Sequence, residues 1–262
     1  MARPPSPPKS PRTFSARLKL AAGDLAIEAT VAVPAEPVPA TAMLPALRQA
    51  VDAAVAAAEA RETDHGRSVS CKKGCSACCR QLVPISLVEA HAIRRLVDSL
   101  PPVRRHSLRK RFAAAAERLR AAGLHDLLRD PAKRADGETA ALGKAYFALS
   151  LDCPFLEDHL CSVHQERPLV CREYLVTSPA TFCDDPDGGG VVPVAAPKLS
   201  VALRGLGRGR SEAPADSAWI PLALALELAP DRHPETATGT AWLQRLFAGL
   251  QRGGDMNRPE NE

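Results

Sequence analysis

Residues 71–100 read CKKGCSACCRQLVPISLVEAHAIRRLVDSL. Two signals meet in this stretch. Its first nine residues carry four thiols, Cys71, Cys75, Cys78 and Cys79, with Gly74 between the first two. The remainder is a helix with a marked start: Ser86 and Glu89 stand at capping-box spacing. Leu87, Ala90, Ile93, Leu96, Val97 and Leu100 then recur at helical spacing, and Pro101-Pro102 stops the run. A dense cysteine group opening into an amphipathic helix predicts a mainly α fold with a few short β-strands. Its helices would surround an irregular, cysteine-rich metal-binding region.

Working outward, the sequence predicts further helices over 43–61, 102–122, 138–150, 198–206, 218–229 and 238–251. The first carries Leu47, Val51, Val55 and Ala58 on one face. The last carries Trp242, Leu243, Leu246, Phe247 and Leu250 on one face. Alternation predicts two strands, Phe14–Leu20 and Leu25–Val33, around the turn at Ala22-Gly23-Asp24, and a short strand over Val191–Val194. Residues 184–190 and 205–216 read as flexible loops. The expected organisation is a Pro-rich tail at 1–12 and an N-terminal strand and helix region at 13–66. A cysteine-cluster domain follows at 67–187, then a mainly helical C-terminal region at 188–252 and a tail at 253–262.

Composition narrows the function classes. Hydrophobic residues make up 45% but aromatics only 4%, so the core must be built from Leu, Val, Ile and Ala. The net charge of +4 is spread along the chain and largely matched by acidic residues, unlike the dense basic face of a nucleic-acid binder. The longest strongly apolar run, Trp219–Leu228, is about half the length that spans a bilayer. With no export signal in MARPPSPPKSPRTFSARLKL, the expected compartment is the cytoplasm, where thiols stay reduced. The Pro-rich tail and the C-terminal helices are the candidate surfaces for a protein partner.

Eight cysteines in a reducing compartment need an explanation other than disulfides. The second group, Cys153, Cys161, Cys171 and Cys183, is spaced more widely than the first. Thiolates are soft donors that suit zinc, copper(I) and iron–sulfur clusters, so all eight cysteines are candidate metal ligands. Gly74 permits the positive φ of a tight turn that lets Cys71 and Cys75 converge. Lys72, Lys73, Arg80, Arg167 and Arg172 flank the two groups, and neighbouring cations lower thiol pKa. Because Cys78 and Cys79 are adjacent, one of them is expected to serve another site or stay free. His91 is expected to face solvent and His159 to be an exposed polar residue. Ser/His/Asp catalysis and phosphate-binding glycine loops have no signature here; Gly205, Gly207 and Gly209 fail the dinucleotide pattern.

The full pattern resembles the YkgJ-type cysteine-cluster family, the CxxCxxCC zinc- or iron-chelating domain. The residues that carry the resemblance are Cys71, Cys75, Cys78-Cys79, Pro84 and Glu89, then Cys153-Pro154-Phe155-Leu156, Cys161, Arg167-Pro168, Cys171-Arg172 and Cys183. It covers roughly residues 70–185. The first gap is one residue longer than the family's C-x2-C. Val163-His164 replaces a common Ile-Tyr pair, which makes His164 a candidate extra nitrogen ligand beside its packing role. Arg167 and Arg172 are candidate donors to cluster sulfurs or backbone carbonyls around the ligands. The resemblance implies zinc or an iron–sulfur cluster as cofactor and leaves the cellular role undefined. One branch resembles flagellin lysine methylases, which implies an alternative: redox chemistry or methyl transfer from S-adenosylmethionine by an iron–sulfur enzyme. A metal-handling adaptor with a structural site is the other alternative.

Overall fold

The computed structural model describes residues 12–130, 133, 139–185, 189–206, 219–231 and 235–253. Nearly all of the expected N-terminal tail, residues 186–188 and 207–216 of the expected loops, and the C-terminal tail beyond residue 253 lie outside the described residues. Along the described chain run β1 (Thr13–Ala22), β2 (Leu25–Pro34), β3 (Val38–Pro39), α1 (Leu44–Asp64), β4 (Pro84–Ile85), α2 (Leu87–Ser99), α3 (Pro102–Ala121), α4 (His125–Arg129), α5 (Thr139–Ala148), β5 (Leu156–Glu157), β6 (Leu160–Cys161), α6 (Leu169–Glu173), α7 (Leu199–Leu206), β7 (Ile220–Pro221), α8 (Ala225–Leu228), β8 (Thr236–Ala237) and α9 (Gly239–Gly253). The fold is mainly α. Among the described residues its strands pair two by two: β1 with β2, β3 with β8, β4 with β7 and β5 with β6, all antiparallel.

The hairpin β1–β2 buries alternate residues, Leu18 and Leu20 against Ala29, Val31 and Val33, as a half-buried two-residue period requires. That face closes the largest core, which α1 lines with Leu47, Ala50, Val51 and Ala54. Helices α7 and α9 complete it, through Leu199, Leu203, Trp242 and Leu246. The Trp242 indole N–H, buried with its ring, donates to the Val38 carbonyl at 2.8 Å. Gly239 lets α9 start against β2, because a Cβ there would stand 2.7 Å from the Pro34 carbonyl oxygen. A second core lies between α2 and α3 and holds Ile85, Ile93, Val97, Leu108, Phe112 and Phe155.

Two expected elements differ. Val191–Val194 forms no strand; Val176 and Pro193 make one isolated bridge, since Pro193 has no N–H to extend a ladder. The described part of 218–229 is not one helix. Ile220 and Pro221 pair with Ile85 and Pro84, and a short 3-10 turn separates them from α8. Pro221 disfavours helical backbone at Ile220 just before it, and the helical turns begin only after the proline. His91 also differs: its ring Nδ1 lies 2.9 Å from the Pro230 carbonyl, half-buried between α2 and the segment after α8.

Candidate metal centre

The first cysteine group is a pair of tight turns. Cys75 N–H donates to the Lys72 carbonyl at 2.9 Å, and Gly74 takes φ +89° at the third position of that turn, a conformation glycine adopts without steric cost. A 3-10 turn, Ala77–Arg80, then carries Cys78 and Cys79. Lys72 and Lys73 are exposed.

The second group is built around Phe155. Its ring is 1% exposed and packs edge-on against Phe112, with centroids 5.3 Å apart at 78°. The C-P-F-L segment is therefore anchored by its aromatic residue, and Cys153 lies beside it. Leu156 N–H donates to the Cys153 carbonyl, and Ser162 N–H to that of Phe155. Between them β5 and β6 form a hairpin whose two turn residues, Asp158 and His159, have φ +47° and +61°, the signature of a right-twisted two-residue loop. Arg104 and Arg111 of α3 both bind Glu157 in this hairpin, at 2.6 and 2.8 Å.

That clasp has a measurable consequence. The Arg104 hydrogen bond, opposed by partial burial and reinforced by the Arg104 and Arg111 charges, holds the Glu157 carboxyl below its usual range. A carboxyl depressed in the folded state stabilises above its unfolded pKa near 4.5, and that contribution is lost as pH falls below it. Glu157→Gln is expected to cost about 1 kcal/mol or less near pH 6, as partly exposed pairs do, and to approach wild type at pH 3. Urea unfolding of both proteins at the two pH values checks this.

Cys171 sits on α6, whose N-terminus is tied to α2. The Glu89 carboxylate, 3% exposed, accepts from Ser86 N–H and Ser86 Oγ at 2.9 Å each, while Glu89 N–H returns to Ser86 Oγ. Its other oxygen accepts from Leu169 N–H at 2.8 Å. The capping box legible in the sequence thus fastens the Arg167-Pro168-Leu169 entry to α6. Arg172 points the other way, forming a forked pair with Asp52 of α1 at 2.7 and 2.8 Å and donating to the Gln165 and Arg167 carbonyls.

The two cysteine groups meet in space. Cys153 N–H donates to the Cys79 carbonyl at 2.8 Å, and Ser70 N–H to the Val176 carbonyl at 2.9 Å. Arg80 pairs with Asp152 at 2.9 Å. His159, exposed as expected, lies 3.1 Å from the buried Ser76 hydroxyl through its Nδ1, so it links the hairpin to the first group. His164 is exposed in the turn between Cys161 and Cys171, and the charge of Arg167 lowers its imidazole pKa.

Electrostatics correct one expectation. The flanking cations do not bring these thiols down as a set. Burial pushes Cys71, Cys161, Cys171 and Cys183 up, and Cys153 up to about 12. A hydrogen bond with Cys79, then burial, raises Cys78. Arg167 opposes the rise at Cys78 and Cys161 but is outweighed. Repulsion between the sulfurs adds to the effect, and Cys78 takes part in it with Cys71, Cys153, Cys171 and Cys183. So many thiols ionise together only when a cation neutralises them.

The donor set suits a soft metal. All eight cysteines are free thiols. The Arg167 Nε–H, buried near Cys78 and Cys161, has no acceptor among the described residues. A thiolate or inorganic sulfide would supply one. Among the described residues, no three His, Cys, Asp or Glu side chains already stand together as a closed ligand set. None of the described helices is long and apolar enough to cross a membrane.

No curated protein and no solved structure matches the chain significantly. Residues 70–187, the segment that carries all eight cysteines, match the sequence model of the CxxCxxCC family, whose description is "putative zinc- or iron-chelating domain".

Proposed function

We propose that this protein binds zinc or iron through its cysteines, and that the metal fastens the 71–79 turns to the 153–183 loops. The observation that supports the reading is that backbone hydrogen bonds join the two distant segments that bear the eight free thiols. They are held by a buried carboxylate, a hairpin clasp and backbone hydrogen bonds rather than by disulfides. The candidate ligands are Cys71, Cys75, Cys78, Cys79, Cys153, Cys161, Cys171 and Cys183. When bound, the metal supplies positive charge that stabilises thiolates; the chain supplies the turns that present them. Glu89 orients α6 under Cys171, Arg172 braces the same helix on α1, and His164 stays outside the expected ligand set. Uptake displaces protons from raised thiols, so loading weakens as pH falls.

An iron–sulfur cluster is the second reading. The matching family model covers iron as well as zinc, and the acceptorless Arg167 Nε–H suits inorganic sulfide as well as a thiolate. Anaerobic purification followed by zinc, iron and sulfide analysis tests both readings. Stoichiometric zinc without sulfide supports the first, and iron with matching sulfide the second. Well-folded protein with none of the three overturns the proposal.

A further inference from the structure

Away from the cysteines, α4 carries a buried imidazole. The His125 side chain is 7% exposed, and both of its ring nitrogens face carboxylates. Nε2 lies 2.9 Å from Glu227 of α8, and Nδ1 lies 3.2 Å from Asp126 on its own helix. A carboxylate only accepts, and a neutral imidazole donates from one nitrogen alone. Both contacts are therefore hydrogen bonds only when the ring is an imidazolium. The charged groups around it are few. Arg120 of α3 holds the other Glu227 oxygen at 2.7 Å. Arg129, Asp130 and Lys133 border Asp126 at the surface.

This contact holds a helix that has little else to hold it. α4 has five residues, no side-chain cap at its N-terminus, and only His125 and Leu128 buried. So short a helix is not stable by itself in water. Leu128, fully buried, fills a third core with Leu119, Leu142, Tyr146, Leu151 and Trp219. Leu151 lies two residues before Cys153, so this core backs onto the second cysteine group. The His125–Glu227 contact spans 102 residues of sequence to join α4 to α8, and Leu228, next to Glu227, packs on the same core.

We propose that His125 is a proton-operated latch. Its imidazolium clamps α4 to α8, and loss of the proton lets α4 detach from the third core. This goes beyond the metal-binding reading and does not rest on it. A histidine that gains carboxylate partners on folding contributes stability that is full below its unfolded pKa of about 6.5 and is lost as pH rises through the folded value. The neutral ring keeps at most one of its two bonds and none of the charge that drew both. Arg120 stays on Glu227 in either state, so α8 remains tied to α3 and α4 alone is released.

Two measurements on the full chain test the latch. Nitrogen-15 NMR of the histidine rings, assigned by correlation to the backbone, should show both His125 nitrogens protonated at about pH 5.5 and one at about pH 8. Hydrogen exchange, corrected for its intrinsic pH dependence, reads the helix. The amides of Leu128 and Asp130 bond back to the Leu124 and Asp126 carbonyls. They should be about tenfold better protected at the lower pH, the effect of one charge-assisted hydrogen bond. His125→Gln keeps a donor without the charge and should remove that difference. A His125 ring that is neutral at about pH 5.5 overturns the proposal. So does equal protection at both pH values, or a difference that persists in folded His125→Gln. The wild-type spectra and exchange decide the matter even when the variant fails to fold.

Discussion

Stripping the metal from loaded protein with a strong chelator near neutral pH is expected to lower the melting temperature by roughly 8–16 °C. Free metal at a thousandfold excess over its dissociation constant adds about 4 kcal/mol to the folded state. In a chain of this size each kcal/mol moves the melting point by about 2–4 °C. The loss should be uneven. The hairpin β1–β2 packs with α1, α7 and α9 in a core that contains no cysteine. The 70–80 turns and the 153–183 loops depend on short hydrogen-bonded segments instead. Limited proteolysis should therefore cut the chelated protein first within those two stretches. Scanning calorimetry with and without chelator gives the first number, and mass spectrometry of the fragments gives the second. Identical melting and identical fragments would sink the idea that metal joins the two groups.

Replacing Glu89 by alanine is expected to cost about 3–5 kcal/mol. The carboxylate is buried and accepts from Ser86 N–H, Ser86 Oγ and Leu169 N–H. Removing it leaves two buried backbone N–H groups without partners, each costing about 1–3 kcal/mol, and exposes the start of α2 to fraying. Glu89→Gln keeps one carbonyl oxygen and should cost less. Hydrogen exchange separates this mechanism from general destabilisation, because the Ser86 and Leu169 amides should lose protection ahead of the α1 amides. Thermal unfolding of Glu89→Ala within 3 °C of wild type would rule it out. Metal loading should weaken in parallel, since α6 carries Cys171.

Much of this was legible in the sequence, and the parts that were not share a physical reason. The helices at 44–64, 87–99, 102–121 and 239–253 follow from local periodicity and caps, which are properties of neighbouring residues. The long hairpin follows likewise from alternation around Gly23. The capping box at Ser86 and Glu89 was readable, but the second use of Glu89 was not, because its partner Leu169 lies 80 residues away. Arg172 was expected near the cysteines; its forked pair with Asp52 could not be read, since nothing local marks Asp52 as facing α6. His159 read as a solvent-facing turn residue, and only the turn's left-handed backbone brings it to Ser76. Arg167 and Arg172 do pull on nearby thiols in the direction read from flanking cations, but burial outweighs them at Cys161, and burial with the Cys79 hydrogen bond outweighs Arg167 at Cys78. Sequence shows which charges are near along the chain but not how deeply a sulfur is buried.

The backbone contacts between the cysteine groups also set a timetable. Cys71 leaves the ribosome long before Cys183, the residue that packs beside it. At synthesis rates of about 5–20 residues per second, that interval of roughly 110 residues lasts about 5–20 s. Throughout it, the nascent chain displays four closely spaced thiols with neither their partners nor their burial. During those seconds the thiols stand open to oxidation, so the redox state of the surroundings acts on this stretch before its burial is complete.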